Sequence, residues 1–173
     1  MPRKLRIIGI DPGSRITGYA VICAEGTRAP SVRYVECGVL ALDARAPLER
    51  RLAELFEGTT EILRELSPHV AAVEDVFYGA SVRSALILGQ ARGAALAALG
   101  SAGVRVFAYP PATIKQAVTG RGRASKVQVA QMVRAIVGLR RTPRADAADA
   151  LAVAVTHALL RTDGLRQPER WLA

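Results

Sequence analysis

The sequence predicts an α/β domain whose mixed five-stranded sheet is flanked by helices, and three observations carry that reading. Three short apolar segments joined by tight turns fill the first forty residues, two further apolar runs each follow a helical stretch, and the remainder is helical in period. The chain length agrees. A chain of 173 residues, half of them apolar, can bury one core of ordinary size without disulfides or metal staples.

Leu5 to Ile10 is an apolar run that stops at the turn signature Asp11-Pro12-Gly13, and it reads as a buried strand. Gly18 to Ala24 and Val32 to Leu40 are rich in Val, Ile, Tyr and Cys. Their connections are too short for a crossover, so the first three strands form an antiparallel meander. Leu48, Leu52, Leu55, Phe56, Ile62, Leu63 and Leu66 recur at helical spacing until Pro68, and Val70 to Val73 then runs to Glu74 as a fourth strand. A helix followed by a strand is a crossover, which sets the fourth strand parallel to the first. Ala80 to Leu99 is a long helix, apolar on more than one face, and such a helix has two neighbours. Val104 to Ala108 makes the fifth strand, ended by Tyr109-Pro110-Pro111. Helices over Ala112 to Thr119, Ser125 to Val137 and Ala145 to Leu160 complete a single domain spanning 1–173, with 162–173 as a frayed tail around Gly164 and Pro168.

The formal net charge is +9, and its distribution says more than its size. Between Asp75 and Asp146 there is no carboxylate, and eleven Lys and Arg fall between Ser81 and Arg144. Such a segment suits a polyanion, because ordinary surfaces mix both signs. Gln90, Arg92, Asp146 and Asp149 interrupt the most apolar stretches, so no membrane span is expected. The apolar run after Pro2-Arg3-Lys4 is too short for a secretory signal. Cys23 and Cys37 form no zinc or disulfide pattern, and read as buried small hydrophobes of a cytoplasmic protein.

Four carboxylates stand where charge is costly: Asp11 and Glu74 at the ends of the first and fourth strands, and Asp146 with Asp149 on the last helix. Parallel neighbouring strands bring the first two to one sheet edge. A spacing of three puts the second two on one helix face, among small residues that allow close packing on the sheet. Four hard oxygen ligands in a basic protein suit a pair of Mg²⁺ ions, with Mn²⁺ as a substitute, acting on a phosphodiester. Taken singly, Asp11 also fits a turn former, Glu74 a solvated strand end and Asp146 a helix-dipole partner.

Thr119 to Lys126, TGRGRASK, is a Gly-rich basic loop opening a helix, so Arg121, Arg123 and Lys126 can face a phosphate backbone. The spacing of a nucleotide-binding P-loop is absent. Lys115 and Lys126 stand out because the chain holds only three lysines. Phe77 and Tyr78 follow the Glu74 strand and read either as loop anchors or as base-stacking groups. Gly89 and Gly93, four apart, suit close packing against the sheet or a second subunit.

Gly9-Ile10-Asp11-Pro12-Gly13-Ser14-Arg15-Ile16-Thr17-Gly18-Tyr19, Val73-Glu74-Asp75-Val76-Phe77, Leu88-Gly89-Gln90-Ala91-Arg92-Gly93 and Ala145-Asp146-Ala147-Ala148-Asp149-Ala150-Leu151-Ala152 together resemble the RuvC family of bacterial junction resolvases. The resemblance runs in order from Leu5 to Leu160. It implies a ribonuclease-H-like fold, a homodimer, Mg²⁺-dependent cleavage of four-way (Holliday) DNA junctions in recombination and repair, and partnership with RuvA and RuvB. It also implies that Asp11, Glu74, Asp146 and Asp149 are the acidic tetrad, that Lys115 and Lys126 bind DNA, and that Phe77 contacts bases. Two other classes compete. A non-catalytic junction or nucleic-acid binder would use the basic segment equally well, but four converging carboxylates would weaken its hold on DNA unless cations occupied them. An actin-like or hexokinase-like ATPase would need a second, related domain, for which the sequence shows no repeat.

Overall fold

A computed structural model describes residues 4–26, 30–75 and 81–161. They form β1 (Lys4–Asp11), β2 (Ile16–Glu25), β3 (Ser31–Ala41), α1 (Leu48–Leu66), β4 (Val70–Glu74), α2 (Val82–Ser101), β5 (Arg105–Tyr109), α3 (Pro111–Thr119), α4 (Lys126–Ile136) and α5 (Ala145–Leu160). The sheet has the order β3-β2-β1-β4-β5. As the turn lengths require, β1, β2 and β3 pair antiparallel; as the crossovers require, β4 is parallel to both β1 and β5.

Successive side chains of β1 go to opposite faces, and both faces are covered. Ile8 and Ile10 join Val21, Ala71 and Val73 against α1 and α2, where Ile62, Leu63, Ala95 and Leu99 complete one core. Ile7 joins Ala20, Ile22 and Ala72 against α5, with α3 and α4 closing over Leu151 and Val155. The run Ile7 to Ile10 is therefore apolar without alternation because it has no solvent face.

The seating of α5 is unusually close. A Cβ placed on Gly9 would stand 2.1 Å from the carbonyl oxygen of Ala150, and one on Gly18 would stand 2.0 Å from that of Asp146. Only glycine lets strand and helix backbones meet so directly. The Ala-rich stretch of α5 is the matching surface on the other side, with Ala147, Ala148, Ala150 and Ala154 all buried.

Some sequence expectations need correction. Cys23 and Cys37 are half-buried rather than fully buried. Cys37 lies on the edge strand β3, where its sulfur sits 3.6 Å from the Tyr34 hydroxyl and only one side is packed. Gly89 and Gly93 do not pack against the sheet: a Cβ at either would meet nothing within 4 Å. They lie on the outward side of α2 with Val82, 77 % exposed, and Leu86, 64 % exposed. Among the described residues α2 packs chiefly on α1 and β5, and its apolar side carrying Val82 and Leu86 is left uncovered. The proposed tail, 162–173, falls outside the described residues, as do Phe77 and Tyr78. Among the described residues no helix is long and apolar enough to cross a membrane.

Replacing Gly9 or Gly18 by alanine should lower stability by about 2 kcal/mol or more, because the obstruction is backbone that cannot rotate away. Urea unfolding of the two variants measures this. A wild-type midpoint in both would mean that α5 has room to withdraw.

Candidate active site

Three elements deliver acidic side chains to one end of the sheet. The last parallel pair between β1 and β4 is Ile10 with Val73, so the next residues, Asp11 and Glu74, emerge side by side. The turn after Asp11 is held from within and from outside. Buried Thr17 accepts from the Gly13 amide at 3.1 Å and donates to the Gly13 carbonyl at 2.9 Å, while Arg51 of α1 donates to the Ser14 carbonyl at 2.8 Å. Gly18, on which the Asp146 backbone rests, pairs with Asp11 across β1 and β2. The first turn of α5 therefore lies at this same end, and Asp149 follows one turn later.

The side chains are not all equally engaged. Asp11 and Glu74 share a hydrogen bond, and each also feels the charge of Asp149. Asp149 accepts from the Lys126 ammonium at 2.6 Å, with its own side chain only 19 % exposed. Asp146, half-buried in the first turn of α5, has no comparable tie to the other three. Among the described residues no three of His, Cys, Asp and Glu are grouped closely enough to hold a metal ion as they stand.

The electrostatics follow from this crowding. Burial, then the negative charge of Glu74 and its hydrogen bond, then Asp149, raise the Asp11 pKa to about 8 against the opposing pull of Lys126. Burial raises Glu74 too, while the Asp11 hydrogen bond, Lys126 and Lys115 work the other way. Asp11 therefore favours its protonated form at neutral pH and is the donor of the hydrogen bond to Glu74. Lys126 is itself raised by its hydrogen bond to Asp149. A buried acidic group that keeps a proton and borrows an ammonium has the donor chemistry of a hard-cation site, so these residues fit a divalent ion.

The basic residues divide by position. Lys115 on α3 and Lys126 at the start of α4 line a cleft of ≈ 60 Å³ with Glu74 and Asp149, walled by Ile114 and Val129. Ser125 caps α4 through a capping box with Gln128, which fixes where Lys126 enters. Arg121 and Arg123 are exposed in the loop before it; Arg121 lines a separate hollow on the far side of α4 with Gln128 and Met132. Two arrangements were not apparent from sequence. Arg92 of α2 reaches the Glu74 carbonyl and Asp75, and the Tyr109 hydroxyl lies 2.7 Å from His157 Nδ1. The only signal for Arg92 was a charge within an apolar helix, and for His157 a lone imidazole on one. Burial, with Arg161 and Arg105 in support, lowers the His157 pKa to about 4, so its ring is neutral at physiological pH.

The family profile described as "Crossover junction endodeoxyribonuclease RuvC" matches residues 7–157, from β1 through α5, and so includes every element of the site. The chain belongs to the RuvC family. Its class is that of a hydrolase of DNA phosphodiester bonds. A RuvC from Rubrobacter xylanophilus is 48 % identical over 156 residues, covering 90 % of this chain and 86 % of that protein. The RuvC structure from Thermus thermophilus superposes with a TM-score of 0.81 at 39 % identity, covering 90 % of this chain and 94 % of that one. A second, of T. thermophilus RuvC in complex with Holliday junction substrate, gives a TM-score of 0.83 at 38 % identity over 90 % of this chain and 93 % of that one. These matches establish the ribonuclease-H-like architecture of the RuvC fold.

The raised pKa of Asp11 has a consequence for stability. Between about pH 4 and pH 8 the native protein keeps a proton that the unfolded chain releases, so the Asp11 contribution is full below pH 4 and is lost as the pH rises through 8. In chelator at pH 8, Asp11→Asn should therefore melt higher than wild type by on the order of 5 °C, with the two converging near pH 4. Melting curves at both pH values check this; equal curves at pH 8 would show that Asp11 ionises there without cost.

Proposed function

We propose that this chain resolves four-way DNA junctions by paired symmetric nicks in recombination and repair, using divalent ions held by Asp11, Glu74, Asp146 and Asp149. The observation that carries the reading is the delivery of these carboxylates from β1, β4 and α5 to one sheet end, beside the carboxylate-free basic segment, in a member of the RuvC family. The T. thermophilus relative complexed with a junction supports the choice of substrate.

Mg²⁺ is the expected metal, two ions per site with Mn²⁺ as a substitute, and when bound it supplies an activated water and charge stabilisation of the departing 3′ oxygen. The chain's own groups prepare for it. Asp11, Glu74 and Asp149 would hold the ion, its positive charge taking the place of the proton that Asp11 keeps and of the Lys126 ammonium beside Asp149. Lys115 and Lys126, which share the cleft with Glu74 and Asp149, would bind the phosphates flanking the cut; exposed Arg123 would extend that track, and Arg121, on the far side of α4, would meet the DNA further out. Phe77, outside the described residues, is assigned to base contact by family resemblance. The product is a nick bearing a 5′ phosphate.

Cutting two strands of like polarity requires two sites related by a twofold axis, hence a homodimer. The apolar side of α2 that is uncovered among the described residues, with Val82, Leu86, Gly89 and Gly93, supports that assembly. Partnership with RuvA and RuvB, a cytoplasmic location and a single nuclease domain complete the proposal.

Asp11→Asn should bind labelled four-way junctions as wild type does while losing at least about 100-fold in cleavage with Mg²⁺; cleavage at the wild-type rate would refute the metal assignment. Lys115→Ala should bind less tightly and with a shallower dependence on salt, by close to one phosphate contact. Gel-shift titrations across a salt series measure this, and an unchanged slope would remove Lys115 from the contacts.

A further inference from the structure

We propose that Arg92 is a positioning residue for cleavage, holding the end of β4 and through it the Glu74 carboxylate in the orientation that accepts a metal ion. The inference rests on the reading of Glu74 as a metal ligand. Along the twenty residues of α2 the only charged side chains are Arg83 and Arg92. The Arg92 side chain is just 11 % exposed, too deep to serve as a phosphate contact. A guanidinium taken this far from water persists only where its fork is well used.

Its fork spans two consecutive residues at the point where β4 leaves the sheet. Nε donates to the main-chain carbonyl of Glu74 at 3.3 Å, and Nη2 stands 3.2 Å from Asp75 Oδ1. The same two residues are gripped from the opposite side. Glu74 pairs with Tyr109 in the β4–β5 ladder, and the Asp75 amide donates to the Tyr109 carbonyl at 2.9 Å. The Tyr109 hydroxyl in turn meets His157 of α5, two helical turns beyond Asp149. The peptide between Glu74 and Asp75 is thus clamped between α2 on one side and β5 with α5 on the other. Rotating that peptide would swing the Glu74 side chain relative to Asp11, and a metal ligand tolerates only about 0.5 Å of such drift.

A purely structural tie between α2 and the sheet is the competing explanation. Ala91, Ala95, Ala98 and Leu99 of α2 are already fully buried, so the helix docks without help from Arg92. What Arg92 adds is directed at the residue that carries the carboxylate.

The test uses Arg92→Met, Arg92→Lys, Asp75→Asn and Glu74→Gln, each as the full chain, with calorimetric Mn²⁺ titration, melting temperature and cleavage rate against metal concentration. Arg92→Met should bind Mn²⁺ about tenfold more weakly, cut at the wild-type rate only at higher metal, and keep its junction affinity in chelator. Arg92→Lys should recover part of the loss. Folded Arg92→Met with wild-type Mn²⁺ affinity and metal dependence would overturn the proposal. Should Arg92→Met fail to fold, Asp75→Asn decides: a smaller shift in the same direction supports the clamp, and none overturns it. Glu74→Gln should lose Mn²⁺ binding; if it binds as wild type, the ligand reading falls and the proposal falls with it, a failure distinct from an inert Arg92 beside a working Glu74.

Discussion

Everything at the acidic end of this sheet depends on backbone meeting backbone. α5 rests on β1 at Gly9 and on β2 at Gly18, with no side chain between helix and strand at those two points. Contact of that kind sets a distance that no rotamer can adjust, and it places Asp146 and Asp149 against a strand that ends in Asp11. The alanines of α5 are the price of the arrangement, since a larger residue would lift the helix off.

With the geometry set, the electrostatics follow. Carboxylates pressed together in a partly buried place favour protonation or draw in positive charge, and both show here: burial and mutual charge raise Asp11 and Glu74, and the Lys126 ammonium stands 2.6 Å from Asp149. Lys126 is 79 % exposed and enters from the first turn of a separate helix, so it can leave without disturbing the core. The site is acidic where a cation belongs and basic around its rim, which is how a chain with a large positive charge keeps a negative pocket.

Much of this was legible in the sequence, because the governing signals are local. Turn lengths dictated an antiparallel meander, the helix-strand alternation dictated parallel β4 and β5, and an ordered set of short motifs pointed to the family. Asp11 and Glu74 could be placed together from strand polarity alone. What escaped was contact between residues far apart in the chain and chemically unremarkable on their own. Nothing near Lys126 announces Asp149, twenty-three positions later, and Arg92 looked like a mere interruption of an apolar helix. Gly89 and Gly93 were legible as close-packing positions for the sheet or a second subunit, but helical period alone does not say which side of an all-round apolar helix meets the sheet, and here it is not theirs. The burial of Cys37 was overestimated because its strand turned out to lie at the sheet edge.

The strand order carries a consequence for the life of the chain before it is complete. Asp11 belongs to the first strand and Asp149 to the last described helix, and that helix fills the core on one face of the sheet. A polypeptide still emerging from the ribosome carries Asp11 and Glu74 early but cannot bring Asp149 beside them until α5, which follows the basic stretch, is made and docks. The acidic cluster therefore arrives in a single step, together with the folded state.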